Sequence, residues 1–462
     1  MSEGAAKKEE KPRKFQAIKG TRDLLPPETA LWNRVEQTAH EVFATFGFGE
    51  IRLPIFEPTE LFARSIGLDT DVVSKEMYSF PDPFELEEII TAYRFAESRT
   101  PGAGQILTIA SLLPDHQMIA ARPEATASVC RAYIEHGMQG LPQPVKLYYI
   151  GPMFRRERPQ KGRYRQFYQI GAEVLGGTDA PAIDAEVIEM VMTFFEKLEL
   201  QGVQLDVNSI GCRECRPKYV ELLRAELQKV KDKLGADSQR RIETNPLRVL
   251  DSKLEHEQPI IEKLPRIGEH LCKDCAEHYA AVKRELGLRG VKYRENWRLV
   301  RGLDYYMRTT FEITASGLGS QNAVCGGGRY DGLVELLGGP PTKGIGFAIG
   351  EDRLILSLQE SGKALAQQGR DVYIAWMGEK AHATAIRAAK NLRNAGFSVE
   401  LPPVEQKFGK ALGQADKLGA RFALILGDNE VASGEWTLKT LATGEQAKIK
   451  EGHLIEHLKN AG

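Results

Sequence analysis

The sequence predicts an α+β protein that carries a helical insert and ends in a smaller α/β domain. Lys146–Gly177 indicates two β-rich strands joined by a long basic loop. Cys212–Leu286 is highly charged and mostly helical in pattern, which is typical of a separate insert. Asp371–Gly462 alternates short β-rich segments with helical ones, as a small α/β domain does. The length of 462 residues allows two to four domains.

The first regular segments are an amphipathic helix and a short strand. Glu28–Phe46 has apolar residues at helical spacing. Ile51–Glu57 is predicted to be a strand, and its Pro54 excludes a central position because proline lacks the N–H that a ladder needs. We therefore expect an edge strand, which either stays an ordinary edge or pairs with a second subunit.

The strand after the basic loop has two chemically different faces. Because side chains alternate across a strand, one face carries Phe167, Gln169, Gly171 and Glu173, and the other carries Tyr168, Ile170, Ala172 and Val174. The loop before it is rich in arginine and has Glu157 as its only acid. Such a loop cannot pack into a core, and its guanidinium groups favour phosphate.

Periodicity and turn residues predict five further elements before residue 358. These are helices at Ala125–His136 and Asp184–Leu198, strands at Val203–Ser209 and Val291–Leu299, and a glycine-rich strand that turns into a helix within Gly344–Leu354.

Composition excludes some classes of protein. The net charge is −1, so contact with nucleic acid has to come from local basic patches. No run of eighteen apolar residues is present, so we expect no membrane span. Met1–Lys14 is charged, lacks the apolar core of a secretory signal and is predicted to be a disordered tail. Together with only six cysteines, this favours a reducing, cytoplasmic location.

Several motifs, taken together, resemble the histidyl-tRNA synthetases, a family of class II aminoacyl-tRNA synthetases. FRRE at 154–157 and RQFYQIGAE at 165–173 are similar to motif 2 of that class. GIGFAIGEDRL at 344–354 is similar to motif 3, and the first helix with IRLPIFEP at 51–58 is similar to motif 1, the dimer element. RGLDYY at 301–306 and GGGRYDG at 326–332 resemble the two signatures of the histidine-specific branch.

The resemblance implies a domain plan. Residues 15–358 would form a class II catalytic domain with a mixed, mainly antiparallel sheet flanked by helices, interrupted by the helical insert at 212–290. A linker at 359–370 would lead to an anticodon-binding domain at 371–462. The stretch at 83–117 is an extra insertion relative to the family pattern, and we expect a surface excursion that leaves the site intact because long loops cost little free energy.

The resemblance also implies an activity. Histidine would attack the α-phosphate of ATP, and the histidyl-adenylate would then acylate tRNA(His), with release of pyrophosphate and AMP. The expected ligands are ATP with Mg²⁺, L-histidine and tRNA(His), and the expected assembly is a homodimer.

Catalytic and ATP-binding roles carry over onto matching positions. Arg155 and Arg301 would act at the α-phosphate, because a guanidinium meets phosphate oxygens in pairs and keeps its charge. Glu157, Phe167 and Arg353 would complete the ATP site, with Phe167 stacking on adenine. The alternatives are a helix-surface arginine at Arg353 and, for Arg301, a buried ion pair with Asp304. Glycines in motif 3 favour the ligand site at Arg353 because they permit close backbone approach.

Histidine-binding roles carry over in the same way. The full expected set is Glu124, Thr126, Gln169, Glu173, Tyr305 and Tyr306. Glu173 and Tyr306 resemble the pair that recognises the imidazole ring, while Tyr305 and Tyr330 would wall the pocket. The alternatives are core packing for the tyrosines and a helix-start acid for Glu124. Lys161 and Arg163, in the basic loop, would contact tRNA.

Four cysteines form two CxxC pairs, Cys212/Cys215 and Cys272/Cys275, with 56 residues between the pairs. Their type and spacing within each pair suit a structural zinc ion. The family resemblance implies no need for zinc, so we expect reduced, packed thiols and keep zinc as the alternative.

Two other functions would fit parts of the chain. A catalytically silent regulatory relative would lack activation residues and the C-terminal domain, whereas Arg155, Arg301, Arg353 and 371–462 are all present. A module that only binds RNA would leave RGLDYY and GGGRYDG without a role.

Overall fold

The computed structural model describes residues 14–67, 70–82, 118–318, 322–362 and 369–461. The expected insertion at 83–117 lies outside the described residues, as do the expected tail up to residue 13 and residues 363–368 of the expected linker. Two compact units are present, one built mainly from Trp32–Ala364 and the other mainly from Leu365–Gly462.

Both units contain helices. They are α1 (Glu28–Thr45), α2 (Thr59–Ile66), α3 (Thr126–Glu135), α4 (Pro181–Lys197), α5 (Cys215–Gln228), α6 (Ala236–Thr244), α7 (Gln258–Ile261), α8 (Lys273–Leu288), α9 (Leu333–Leu336), α10 (Glu351–Glu360), α11 (Glu379–Asn394), α12 (Phe408–Lys417), α13 (Asp428–Ser433) and α14 (Leu454–Asn460). No helix within the described ranges is long and apolar enough to cross a bilayer.

The described strands form three sheets. They are β1 (Gly49–Glu50), β2 (Phe56–Pro58), β3 (Tyr78–Pro81), β4 (Met118–Ala121), β5 (Val145–Phe154), β6 (Gln166–Leu175), β7 (Gln204–Ser209), β8 (Arg294–Glu295), β9 (Met307–Thr314), β10 (Ala323–Arg329), β11 (Gly344–Gly350), β12 (Val372–Met377), β13 (Val399–Glu400), β14 (Phe422–Gly427), β15 (Glu435–Thr440) and β16 (Gln446–Lys450).

The large sheet has eight strands in the order β1-β5-β6-β11-β10-β9-β7-β8. Its end pairs, β1 with β5 and β7 with β8, are parallel, and the pairs between them are antiparallel. This confirms the expected mixed, mainly antiparallel sheet. A three-stranded sheet, β2-β4-β3, lies in the same unit.

The hairpin β5–β6 is the longest ladder of the large sheet and follows the alternation of its sequence. Its register runs from Val145 opposite Leu175 to Phe154 opposite Gln166. On one face of β6, the Tyr168 ring meets Trp32 of α1 edge to face, with centroids 5.3 Å apart. The opposite face is therefore left to present Phe167 and Gln169 to a cavity.

The strand expected at Ile51–Glu57 is mostly wrong, because only Phe56 and Glu57 of it belong to a strand. That strand, β2, does lie at the edge of its sheet, as Pro54 predicted. β1 ends at Glu50, β2 begins at Phe56, and the chain between them crosses from one sheet to the other. The Arg122 guanidinium donates to the carbonyls of Leu53 at 2.8 Å and Pro54 at 3.1 Å. A side chain thus satisfies backbone groups that a strand ladder would otherwise pair.

The strand expected at Val291–Leu299 is also mostly wrong, since only β8 forms there. The side-chain amide of Asn208 donates to the carbonyls of Trp297 at 3.2 Å and Leu299 at 3.0 Å. These bonds hold the segment as a loop that leads into Arg301.

The insert is helical, as predicted, and has its own core. Tyr219, Leu223 and Leu227 of α5 pack with Ile242 of α6 and further apolar residues. The same cluster includes Tyr306, at the start of β9. The insert therefore packs directly against the segment that carries the RGLDYY signature.

The C-terminal unit has a five-stranded sheet in the order β13-β12-β14-β15-β16. Helix α11 packs its alanine-rich face, including Ala385 and Ala389, into a core with Trp376 and Trp436. The predicted α/β domain is confirmed, and the structure adds β16 and α13, which the periodicity did not indicate.

Candidate active site

A cavity of about 500 Å³ opens on the large sheet. Strands β6, β9, β10 and β11 supply its floor, and the loop between β5 and β6, the start of α3, the start of α10 and the 301–306 segment supply its walls. The expected site residues among its lining are Glu124, Thr126, Arg155, Glu157, Arg163, Phe167, Gln169, Arg301, Tyr305, Tyr306 and Arg353. Residues spread over more than two hundred positions thus meet at one place.

Arg301 lies across β10, and the glycine signature makes that possible. A Cβ at Gly326 would lie 2.0 Å from Nη2 of Arg301, so only glycine leaves room for the guanidinium. Nη1 of Arg301 donates to Glu312 on β9 at 2.8 Å. The alternative ion pair with Asp304 is therefore wrong, since the carboxylate comes from the neighbouring strand.

One N–H donor of the Arg301 guanidinium has no hydrogen-bond partner among the described residues. This donor is the buried Nε. A buried donor without a partner costs free energy that a ligand oxygen would recover. This geometry suits an arginine that meets an anion in the cavity.

Arg155 stands at the end of β5 with its orientation fixed. Its Nε donates to the carbonyl of Pro123 at 3.0 Å, and its guanidinium lies 5.3 Å from the centroid of the Phe167 ring. One bond and one cation–π contact hold the side chain, and Arg155 and Phe167 both line the cavity.

Glu124 is held at the start of α3. Its carboxylate accepts from the backbone N–H of Thr126 at 2.8 Å and of Ala127 at 3.0 Å, as a helix-start acid does. Burial raises the pKa of Glu124, while these backbone hydrogen bonds act in the opposite direction. Since Glu124 also lines the cavity, the helix-start contact fixes a carboxylate that a ligand can reach.

Glu173 is almost fully buried, with 1 % exposure, and is not one of the lining residues. The Thr126 hydroxyl donates to its Oε1 at 2.7 Å, and the Tyr330 hydroxyl donates to its Oε2 at 2.6 Å. Burial raises the pKa of Glu173 to about 8, although both hydrogen bonds oppose the rise. Glu173 therefore supports the wall that Thr126 forms.

Glycines of β11 leave room for the side chains of Glu173 and Tyr330. A Cβ at Gly346 would lie 1.7 Å from Oε2 of Glu173, and one at Gly344 would lie 2.3 Å from the Tyr330 ring. The expectation that motif 3 glycines admit a ligand needs correction here, because these two admit protein side chains. Tyr330 is 2 % exposed and lies behind the pocket instead of walling it.

The two tyrosines of RGLDYY lie side by side at the cavity. Their ring centroids are 4.7 Å apart, and the Tyr305 ring is 5.8 Å from that of Tyr330. The Tyr305 hydroxyl lies beside Thr126. Both tyrosines thus lie near Glu173, and Tyr306 also lies under the guanidinium of Arg301 at 5.9 Å.

Gln169 lies on the floor of the cavity beside them. Its carbonyl Oε1 is buried without a hydrogen-bond partner among the described residues. A buried acceptor in a cavity wall is a ready partner for an N–H or O–H of a ligand.

The basic loop closes the other end of the cavity. Nη1 of Arg163 lies 3.4 Å from the Glu157 carboxylate, and both residues line the cavity. Arg353 also lines it, which favours the site over the alternative of a helix-surface arginine. Lys161 is exposed, forms an ion pair with Glu360 at 2.9 Å and is not one of the lining residues.

Sequence reasoning missed some lining residues. Glu312, Tyr149 and Arg248 all face the cavity. The sequence could have predicted Glu312 as a site residue, because the residues on either side of this acid in β9 are apolar or hydroxylic. Arg248 comes from the helical insert, and no motif connects it with the site.

The four CxxC cysteines come together outside this cavity. Their sulfur atoms all lie within 4.8 Å of one another.

The fold and the site define a class II aminoacyl-tRNA synthetase: an antiparallel sheet with a motif 2 hairpin, a motif 3 strand and helix, and paired arginines over the floor. A model of the family described as histidyl-tRNA synthetase matches residues 92–354, and a model described as an anticodon binding domain matches 371–461. The chain belongs to the histidyl-tRNA synthetase family.

Relatives match this chain in sequence along nearly its whole length. The histidine–tRNA ligase of Koribacter versatilis is 50% identical over 452 residues, which is 97% of each chain. That of Solibacter usitatus is 50% identical over 445 residues, or 96% of this chain and 99% of the relative. The crystal structure of apo histidyl-tRNA synthetase from S. aureus, 35% identical, superposes with a TM-score of 0.74 over 96% of this chain and 100% of that one.

Proposed function

We propose that the protein attaches L-histidine to tRNA(His) in two steps, through a histidyl-adenylate. The observation that carries the proposal is the meeting of two arginines, Arg155 and Arg301, with the polar groups of Glu124 and Gln169 in one cavity. A pair of cations matches the α-phosphate of ATP, and the polar groups match an amino acid.

In the first step, a carboxylate oxygen of histidine attacks the α-phosphorus and pyrophosphate leaves. Negative charge on the non-bridging oxygens is met by Arg301 and Arg155, whose side chains are held before the substrate arrives. Preorganised donors of this kind stabilise the transition state because little has to reorganise during the reaction. In the second step, a ribose hydroxyl at the 3′ end of the tRNA attacks the carbonyl and AMP leaves.

The remaining ATP contacts follow from the cavity wall. We assign adenine to Phe167 on one side and Arg353 on the other, with Glu157 nearby. Mg²⁺ would enter with ATP, and Glu312, a carboxylate on the floor beside Arg301, is the residue we assign to hold it. When bound, the ion neutralises phosphate charge.

Histidine contacts follow from the opposite wall. We assign the α-amino group to Glu124, Thr126 and Gln169, and the imidazole ring to the Glu173 group and the tyrosine pair. Since both oxygens of Glu173 are bonded to Thr126 and Tyr330, we propose that Glu173 acts mainly by fixing these hydroxyls. Tyr306 is the tyrosine we assign to the ring with the Glu173 group, and Tyr305, which lies beside Thr126, is assigned to the pocket wall.

The tRNA would use two regions. We assign the acceptor end to Lys161 and Arg163 of the basic loop, and the anticodon to the domain at 371–462, joined by the linker 359–370 to the catalytic domain at 15–358. We further propose a cytoplasmic homodimer, supported by the exposed apolar side chains of Ile55 and Phe56 in the motif 1 segment. Sedimentation equilibrium on the full chain tests the dimer.

Histidine-dependent exchange of pyrophosphate into ATP tests the activity. We expect exchange with L-histidine and none with phenylalanine or glutamine, because a site with buried polar groups rejects ligands that leave them unpaired. Binding of tRNA without any exchange would overturn the proposal in favour of an RNA-binding protein.

A further inference from the structure

Four cysteines lie close together at the base of the helical insert. Cys212 and Cys215 lie where the chain leaves β7 and enters α5, and Cys272 and Cys275 lie at the start of α8. The Sγ atom of Cys212 is 3.7 Å from that of Cys215 and 3.7 Å from that of Cys272. We propose that these cysteines bind one structural zinc ion that closes the insert at its base.

The distances match a single tetrahedral ion. Zinc–sulfur bonds of about 2.3 Å place the four sulfurs of a tetrahedral site about 3.8 Å apart. A disulfide needs about 2.05 Å between sulfurs, well below the 3.7 Å between Cys212 and Cys215. An iron–sulfur cluster binds its thiolates through different irons, which separates the sulfurs more widely than the 4.8 Å limit found here.

The surroundings suit thiolates. The backbone N–H of Cys212 donates to the sulfur of Cys215 at 3.2 Å, and that of Glu214 donates to the sulfur of Cys212 at 3.4 Å. Both pairs lie at the N-terminal ends of helices, where the helix dipole favours negative charge. Because zinc with four thiolates carries a net charge of −2, nearby cations also help, and Arg308 contacts Cys275.

The site is linked to the active-site cavity by three hydrogen bonds. The guanidinium of Arg216, one residue after Cys215, donates to the carbonyl of Tyr306. The N–H of Arg308 donates to the carbonyl of Gly211 at 2.8 Å, and the N–H of Ile210 donates to the carbonyl of Arg308 at 2.8 Å. The loop that precedes the first CxxC pair therefore pairs with the backbone just after the two tyrosines.

Arg308 adopts a positive φ of 50°, which a non-glycine residue holds only when its surroundings enforce it. The two bonds to Ile210 and Gly211 enforce it, and the zinc would fix that loop in turn. The metal thus acts as a positioning group for Tyr305 and Tyr306, and it does not touch substrate.

Metal content decides the proposal independently of any activity. Protein purified with reductant and without chelator is expected to contain about one zinc per chain by inductively coupled plasma mass spectrometry. Replacing zinc with cobalt is expected to give the visible absorption of tetrahedral cobalt–thiolate. Cys272→Ser is expected to lose the metal, whereas Cys130→Ala, which removes a buried cysteine outside the cluster, is expected to keep it.

Three outcomes would contradict a zinc site at these cysteines. Less than about a fifth of an equivalent of zinc in the wild-type protein, iron in its place, or free reaction of the Cys212 and Cys272 thiols in the folded chain would overturn the proposal. These measurements hold even if Cys272→Ser folds poorly, because they use the wild-type chain.

The positioning role rests on the proposed function and has its own readout. In a folded Cys272→Ser protein, we expect the KM for histidine to rise about tenfold, the scale on which groups behind a site act, with little change in the KM for ATP. An unchanged KM for histidine in zinc-free protein would remove the positioning role and leave the metal site standing.

Discussion

Glu173→Gln tests the ionisation of the buried carboxyl behind the active-site cavity. Glutamine keeps the shape of glutamate and both hydrogen bonds, because its carbonyl accepts from Tyr330 and its amide donates to Thr126. The substitution removes only the ionisable carboxyl group. Any difference between the wild type and the variant that depends on pH therefore comes from the titration of Glu173.

The sign and size follow from the raised pKa. The pKa of Glu173 is about 8 in the folded chain and 4.5 as its ordinary value. Between these values the folded state holds a proton that the unfolded state has released, so stability is highest below pH 4.5 and falls until the pH passes 8. At about 1.36 kcal/mol per pH unit, the wild type should lose about 2.5 kcal/mol more than Glu173→Gln between pH 5.5 and 7.5.

Urea unfolding followed by tryptophan fluorescence measures this difference. The C-terminal unit is identical in the two proteins, so its contribution cancels when their free energies of unfolding are compared at each pH. The dependence on urea concentration should be the same for both, since the surface exposed on unfolding does not change. Parallel stability curves from pH 5.5 to 7.5 would show that Glu173 is ionised in the folded chain and refute the reasoning.

Three further changes probe the site. Arg301→Ala should lower kcat of histidine-dependent pyrophosphate exchange by about 10²-fold with the fold intact, and exchange near the wild-type rate would remove Arg301 from the reaction. Gly326→Ala should lower kcat similarly, since its Cβ would displace the Arg301 guanidinium. The control is Gly287→Ala, where a Cβ meets no described atom within 4 Å. Equal kcat values for the two variants would contradict the steric argument. Replacing Lys161 and Arg163 by alanine should slow tRNA acylation more than exchange, with a deficit that changes with salt; equal losses in both assays would argue against a tRNA contact.

The features that could be predicted are those in which local pattern and final contacts agree. The alternation along β6 placed Phe167 and Gln169 on one face before any partner strand was known, and the ladder with β5 keeps that assignment. The family motifs brought Arg155, Arg301 and Arg353 to one cavity. Arg155 follows the end of β5, Arg353 lies in the first turn of α10 after β11, and Arg301 lies in the loop that leads into β9.

The features that could not be predicted depend on partners distant in sequence. Nothing near Leu53 indicates that Arg122 will take its carbonyl, and nothing near Trp297 indicates that Asn208 will do the same. Asp304 was the nearest acid to Arg301 along the chain, yet strand pairing brings Glu312 to it.

The order of strands in the large sheet also governs how the chain is made. β6 ends at Leu175, but its neighbour β11 begins only at Gly344, so one edge of β6 stays unpaired while the intervening residues are synthesised. At roughly 5–20 residues per second, that interval lasts about 10–30 s. The backbone groups of β6 that later pair with β11, from Gln169 to Leu175, lack that partner throughout it. The nascent enzyme is therefore most vulnerable to aggregation, and most dependent on chaperones, before motif 3 leaves the ribosome.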